Sequence, residues 1–399
     1  MNLAGITRRR GRGATAGAAL TLSLVTAVGC TAFAAGTGGH AAGAGPVRAR
    51  FSGVLAAGQE GSLSAVPWRR VGAGWVLAEY WAGRRIPGKK PTAGAAYLYL
   101  VNPAGGRYQL YRWRSSTNPP GLVDWSGDKT RALLSTTLAG GLEQLVLATG
   151  KVTRLRLAGQ AAVIGYTRPD GLNLLGSQQV GLRTRLARYT LTGRRDKVLT
   201  TIGMPYAGAV YSATGTMLAV AAPRGLELVS NGGGVIRTLP VPRTTVAGCS
   251  PSRWWNSKTI LATCIPAGNN TRSRLWLVPA SGGRPSALTP QRGARSRDFG
   301  DIGAWQLRSG LYLQALRACG TLEIARQAAN GSIAILSVPG SRGSDRLLTA
   351  QGDRLLVESP TGCFPGASLL WFNPSSRHAN VLFTGGVIGA VPFGRLTSG

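Results

Sequence analysis

Asp124, Asp128, Asp170, Asp298, Asp301 and Asp353 are the side chains in this sequence best suited to chemistry. Two carboxyl groups, one donating and one accepting a proton, suffice to cleave a glycosidic bond. Asp128, Asp170 and Asp353, however, occupy turn positions that Asp favours because its carboxylate bonds the local backbone. Other catalytic sets cannot be assembled. The chain has two histidines, His40 and His378, so it can build neither a His-activated nucleophile nor a multi-His metal centre. It has no phosphate-cradling GxxxxGK[ST] loop, no HExxH and no GxSxG elbow. No catalytic set, metal or cofactor is therefore assigned, and the chain is expected not to be an enzyme. The alternative is a carbohydrate-cleaving enzyme of glycosidase or lyase type using paired carboxylates.

Five cysteines are present. Cys30 ends an apolar N-terminal span, which leaves four, an even number that suits disulfides in an exported chain. Cys249 falls at the start of one predicted strand and Cys264 at the end of the next, so a hairpin would set them side by side. Cys319 and Cys363 occupy equivalent loops of successive repeats and form the second expected pair. Zinc is the alternative, but CxxC spacing is missing.

The elements that would position these residues are short strands in a repeat. Residues 161 to 199 contain four: one opening at Val163 and Ile164, a second at Leu172, Leu174 and Leu175, a third alternating through Leu186, Tyr189 and Leu191, and a fourth at Val198 and Leu199. Arg168-Pro169-Asp170-Gly171 supplies the first turn, with Pro presetting φ and Gly accepting positive φ. Aligned first turns fall at Gly74, Gly127-Asp128, Asp170-Gly171, Thr214-Gly215, Asn256-Ser257, Ser309-Gly310 and Gly352-Asp353. Most steps are about 42 to 44 residues, the period of a four-stranded propeller blade. A second marker runs in phase, from Leu98-Tyr-Leu-Val-Asn to Leu369-Leu-Trp-Phe-Asn, followed in six repeats by a hairpin glycine. The expected fold is an all-β, seven-bladed β-propeller of four-stranded antiparallel blades over residues 61–399. The end, Ala390-Val-Pro-Phe-Gly-Arg395, echoes Ala65-Val-Pro-Trp-Arg-Arg70 and predicts ring closure by overlap of the chain ends, which hides sheet edges.

Tyr166-Thr-Arg-Pro-Asp-Gly171, Tyr211-Ser-Ala-Thr-Gly215 and Trp125-Ser-Gly-Asp128 resemble the aromatic-Ser-Pro-Asp-Gly signature of TolB-type propeller repeats, which are related to WD repeats. The resemblance covers residues 63 to 399 and implies the fold. The aromatics Trp68, Trp125, Tyr166, Tyr211, Trp254 and Trp305 recur near the end of each first strand. Such recurrence fits rings packed between neighbouring blades better than a ligand-stacking ring around the channel.

Arg8-Arg9-Arg10-Gly11-Arg12 precedes an uncharged apolar span from about Thr15 to Gly29, the layout of an export signal. Thr26-Ala27-Val28-Gly29-Cys30 resembles the lipobox of bacterial lipoproteins, which implies cleavage before Cys30 and lipid attachment to it. An uncleaved signal anchor is the alternative, because the uncharged span continues to His40. Residues 1–29 are thus read as signal peptide and 30–60 as an Ala/Gly-rich tether with too few bulky side chains to fold alone.

The formal charge is +32, from 46 basic and 14 acidic residues, and only six of the basic ones are lysines. Such a balance attracts anionic lipids, polymers or proteins, or else reflects composition alone. No basic run exceeds three residues, and nucleic acid is not the expected partner. By strand parity the long insertions share one face, with Arg84, Arg85, Lys89 and Lys90 in one and Arg292, Arg295 and Arg297 in another. That face is expected to dock an envelope protein or anionic cell-wall polymer on the extracytoplasmic side of the cell membrane, with the chain a monomer.

Overall fold

The structure is a computed structural model that describes residues 54–394, apart from 84–89, 91, 137–140, 205–207, 243–245, 267–271, 292–297, 318–320, 342 and 361–365. Twenty-eight strands among the described residues form one eight-stranded sheet and five four-stranded antiparallel sheets, and short 3-10 turns are the only helical elements. Counting the strands of 60–116 as the first group, the four-stranded sheets are the second to sixth in chain order and span 121–155, 162–202, 209–239, 246–287 and 298–335, and each runs through its strands consecutively. An all-β series of this kind is consistent with a propeller.

Burial explains why these segments pair as they do. In several of these sheets the second strand carries an unbroken apolar run, such as Ala132-Leu133-Leu134, Leu218-Ala219-Val220 and Ile260-Leu261-Ala262, each residue 1% exposed or less. Continuous rather than alternating hydrophobicity marks a strand covered on both faces. The last strands differ. Lys151–Leu155 and Val235–Leu239 are mostly exposed, and charge there disfavours edge-to-edge pairing with another chain. Apolar clusters fill the space between successive sheets: Leu133, Tyr166 and Tyr189 lie between the second and third, and Val210, Trp254 and Ile260 between the fourth and fifth.

Closure departs from the sequence expectation in one respect. The segment expected to open the first repeat, 65–70, forms two short 3-10 turns instead of a strand. Its place is taken by the end of the 15-residue strand His378–Pro392. Residues 378–383 of that strand pair with 369–373, and residues 387–392 pair with 76–80, which welds two groups of strands into the eight-stranded sheet. Val66 and Trp68 serve instead as plugs in a cluster with Val391 and Phe393. Ordered packing also begins before residue 61. Leu55 is 5% exposed; its N–H donates to the Tyr108 hydroxyl at 3.1 Å, and its carbonyl accepts from Asn102 Nδ2 at 2.8 Å.

Candidate functional site

A large concave feature of the described surface begins on the strand Arg107–Ser116, the outermost antiparallel strand of the first group. A register shift between Leu98 and Tyr99 leaves Leu110 opposite no partner, and such a bulge resets the alternation of side chains. Tyr108 and Leu110 point inward before it, and Tyr111 and Trp113 follow on the same face after it, all four in one apolar cluster. Tyr111 and Trp113 are only half buried and meet edge to face with centroids 5.0 Å apart. Arg112 and Arg114 are exposed, and the Arg112 guanidinium lies 5.6 Å from the Tyr97 ring centre.

The facing wall comes from the second sheet. Glu143, on Gly141–Val146, accepts from Arg154 Nε at 3.3 Å. Its side chain is 10% exposed and that of Arg154 is 87% exposed, so this carboxylate positions a guanidinium that is otherwise in solvent. A cavity of about 910 Å³ lies between Trp113 and Arg154. It adjoins a second of about 460 Å³ through Thr136, Glu143 and Arg154. The second adjoins a third of about 690 Å³ through Leu142 and Arg156, which reaches Gln160 and Ala162 where the third sheet starts. The three make a continuous trough across the rim of the second sheet. Arg112, Arg114, Arg154 and Arg156 line it against the single carboxylate Glu143.

The residues singled out in the sequence are distributed otherwise. Cys249 and Cys264 are directly opposed in their hairpin and disulfide-bonded. Lys90 is exposed. Arg84, Arg85, Lys89, Arg292, Arg295, Arg297, Cys30, Cys319 and Cys363 lie outside the described residues. Trp125, Tyr166, Tyr211 and Trp254 are 7% exposed or less and sit in inter-sheet clusters, while Trp68 and Trp305 pack partly buried against such clusters. The Tyr166 hydroxyl donates to Gln144 Oε1 of the preceding sheet at 3.2 Å, and Trp254 Nε1 donates to the Val210 carbonyl at 3.3 Å.

Three of the aspartates considered for carbohydrate cleavage, Asp124, Asp128 and Asp170, have structural partners. Asp124 forms a buried pair with Arg168 at 2.8 Å and accepts the Tyr166 N–H at 2.8 Å, which ties the second sheet to the third. Asp128 accepts from the Ser126 hydroxyl, the Thr130 N–H and Arg131, all within its turn. Burial acts to raise its pKa, but these hydrogen bonds and the Arg131 charge together hold it below the ordinary value. Asp170 accepts the Leu172 N–H at 3.1 Å, and Asp353 occupies the turn between strands 346–351 and 354–360. Asp301 is fully buried, and the side chain of Asp298 lies outside the described ones. Among the described residues no group of three or more His, Cys, Asp or Glu could hold a metal.

One acid was not singled out. Glu79, in the apolar strand Val76–Trp81, is 0% exposed. Its Oε2 accepts the Leu122 N–H of the next sheet at 2.8 Å, and its Oε1 has no hydrogen-bond partner among the described residues. Burial pushes its pKa from 4.5 to about 8, opposed only by the Leu122 hydrogen bond. The sequence signal was present as a lone carboxylate inside VLAEYW.

No family model and no curated protein matches the sequence. Solved structures do match it. A prolyl endopeptidase superposes with a TM-score of 0.51 and 13% identity, over 78% of this chain and 50% of that one. A 6-phosphogluconolactonase candidate from Bacteroides fragilis gives 0.50 and 11%, over 80% and 98%. TolB from Acinetobacter baumannii gives 0.40 and 16%, over 65% of each chain. This chain therefore has a propeller fold. It spans half the length of the prolyl endopeptidase it matches. The first two neighbours also correct the expectation that the chain is not an enzyme, because the scaffold they share with it belongs to enzymes. The shortage of histidine removes particular catalytic sets from this chain, but it does not make the fold a non-enzymatic one.

Proposed function

We propose that the chain is an exported, membrane-anchored propeller of seven blades that binds and scaffolds an anionic partner of the cell envelope. Five four-stranded sheets and the two halves of the eight-stranded sheet supply the blades, with residues 387–392 as the inner strand of the first. Export and anchoring rest on the order of basic residues, apolar span and Gly29-Cys30. Among the described residues no helix is long and apolar enough to cross a membrane, and the apolar span lies outside them. Its tether would hold a strongly basic domain close to an anionic surface, where lipid burial and charge attraction reinforce each other.

The observation that carries the binding reading is the basic trough, in which four guanidinium groups face one carboxylate. Arg84, Arg85, Lys89, Lys90, Arg292, Arg295 and Arg297, in the long insertions, are read as additional contacts for the same class of partner. The test is retention of the mature chain on an immobilised anionic envelope-polymer fraction at rising ionic strength. Retention should fall steeply as the Debye length shrinks to about 10 Å near 0.1 M salt. Failure to be retained at low salt would overturn the reading.

A further inference from the structure

We infer that the trough is a built site for a linear acidic polysaccharide, a sugar chain bearing carboxylates or phosphates. The inference rests on the reading of an anionic partner and names the ligand class and the place. Three features point to it together. The cavities are joined end to end, which suits an extended chain rather than a compact ligand. At one end the Tyr111–Trp113 pair offers half-buried aromatic surface, held in place by the bulge and by packing in the apolar cluster. Aromatic faces receive the C–H faces of pyranose rings, and a Trp positioned in this way loses little freedom on binding.

Beyond the aromatic pair, Ser115, Asn118, Ser135, Thr136 and Gln160 bring hydroxyl and amide groups matched to sugar hydroxyls. Arg112, Arg114, Arg154 and Arg156 present forks that match carboxylate or phosphate oxygens. A single-stranded polynucleotide would call for successive stacking platforms along its path. Here the aromatics are confined to one end, and beyond them polar groups alternate with aliphatic ones such as Leu142, Leu155 and Val163. Edge protection accounts for arginine on the outer strand Lys151–Leu155, but it requires neither an aromatic pair across from Arg154 nor a cavity between them.

Binding of polygalacturonate fragments of increasing length, of a phosphorylated mannan, of neutral dextran and of polyuridylate to the mature chain would be measured by tryptophan fluorescence and calorimetry. Affinity for the two acidic glycans should rise with length until the trough is filled. Dextran should bind at least about tenfold more weakly, since charge complementarity is lost. Arg154→Ser with Arg156→Ser should weaken acidic-glycan binding by about tenfold or more and reduce its salt dependence. Arg195→Ser with Arg237→Ser, which removes equal charge from the outer strands of other sheets, should change it little. Trp113→Phe, which keeps an aromatic ring in the cluster, should weaken it less than Trp113→Ala. Equal losses from both arginine pairs, tighter binding of polyuridylate, or no effect of Trp113→Ala in a folded variant would each overturn the site. If the chain is retained on the envelope fraction but binds neither acidic glycan, this inference fails while the broader reading stands. If neither is bound, both fail.

Discussion

Replacing Glu79 by glutamine should remove a large part of the pH dependence of stability between mildly acid and mildly alkaline conditions. Glu79 is enclosed between the first two blades with one oxygen bonded to the Leu122 N–H and the other without a hydrogen-bond partner among the described residues. Burial raises its pKa to about 8, against 4.5 ordinarily. The folded chain therefore retains this proton at a pH where the unfolded chain has released it. The associated stability is fully present below about pH 4.5 and is lost as pH rises through about 8. At about 1.36 kcal/mol per pH unit, that window sets a ceiling of about 5 kcal/mol. Glutamine keeps an acceptor for Leu122 and cannot ionise, so Glu79→Gln should approach the parent in stability near pH 5 and exceed it by about 2–5 kcal/mol near pH 9. Urea unfolding at several pH values, followed by tryptophan fluorescence, measures this directly. An unchanged difference between parent and variant across the range would show that Glu79 does not titrate in that window, and the account of its burial would be wrong.

Removing the disulfide with Cys249→Ser and Cys264→Ser should cost about 2–4 kcal/mol in denaturant unfolding, since the bridge closes a loop of 15 residues in sequence separation. Asp124→Asn leaves the buried Arg168 charge without a compensating carboxylate at Asp124 and should cost about 3–5 kcal/mol, whereas Asp124→Leu with Arg168→Met should cost less; thermal melts distinguish the two. Gly215→Ala should destabilise markedly, because its φ is +72° and an added Cβ would lie 1.9 Å from the Arg168 carbonyl oxygen; a wild-type melting temperature would contradict this. Mass spectrometry of the mature chain should find Cys30 at the N-terminus carrying lipid, and cleavage elsewhere would remove the proposed anchor.

Amino-acid order determined the all-β character and the repeat. Turn residues such as Asp170-Gly171 and Thr214-Gly215 and runs such as Leu218-Ala219-Val220 act within a few residues of themselves, through φ preference and burial, and so are visible in one dimension. The same locality placed Cys249 opposite Cys264, because a hairpin register follows from its turn. Only the tertiary structure decided which strand completes the first blade. Residues 65–70 and 390–395 are similar in sequence, down to Pro67 and Pro392, and the choice between them depended on a ladder formed across more than 300 positions. The environment of Glu79 was decided at the same level, since Leu122 belongs to another sheet and nothing adjacent in the chain records that the carboxyl group would be sealed from water. The trough was hidden for a related reason. Trp113 and Arg154 line one cavity although they belong to different sheets, so neither residue type nor spacing could show that they share it.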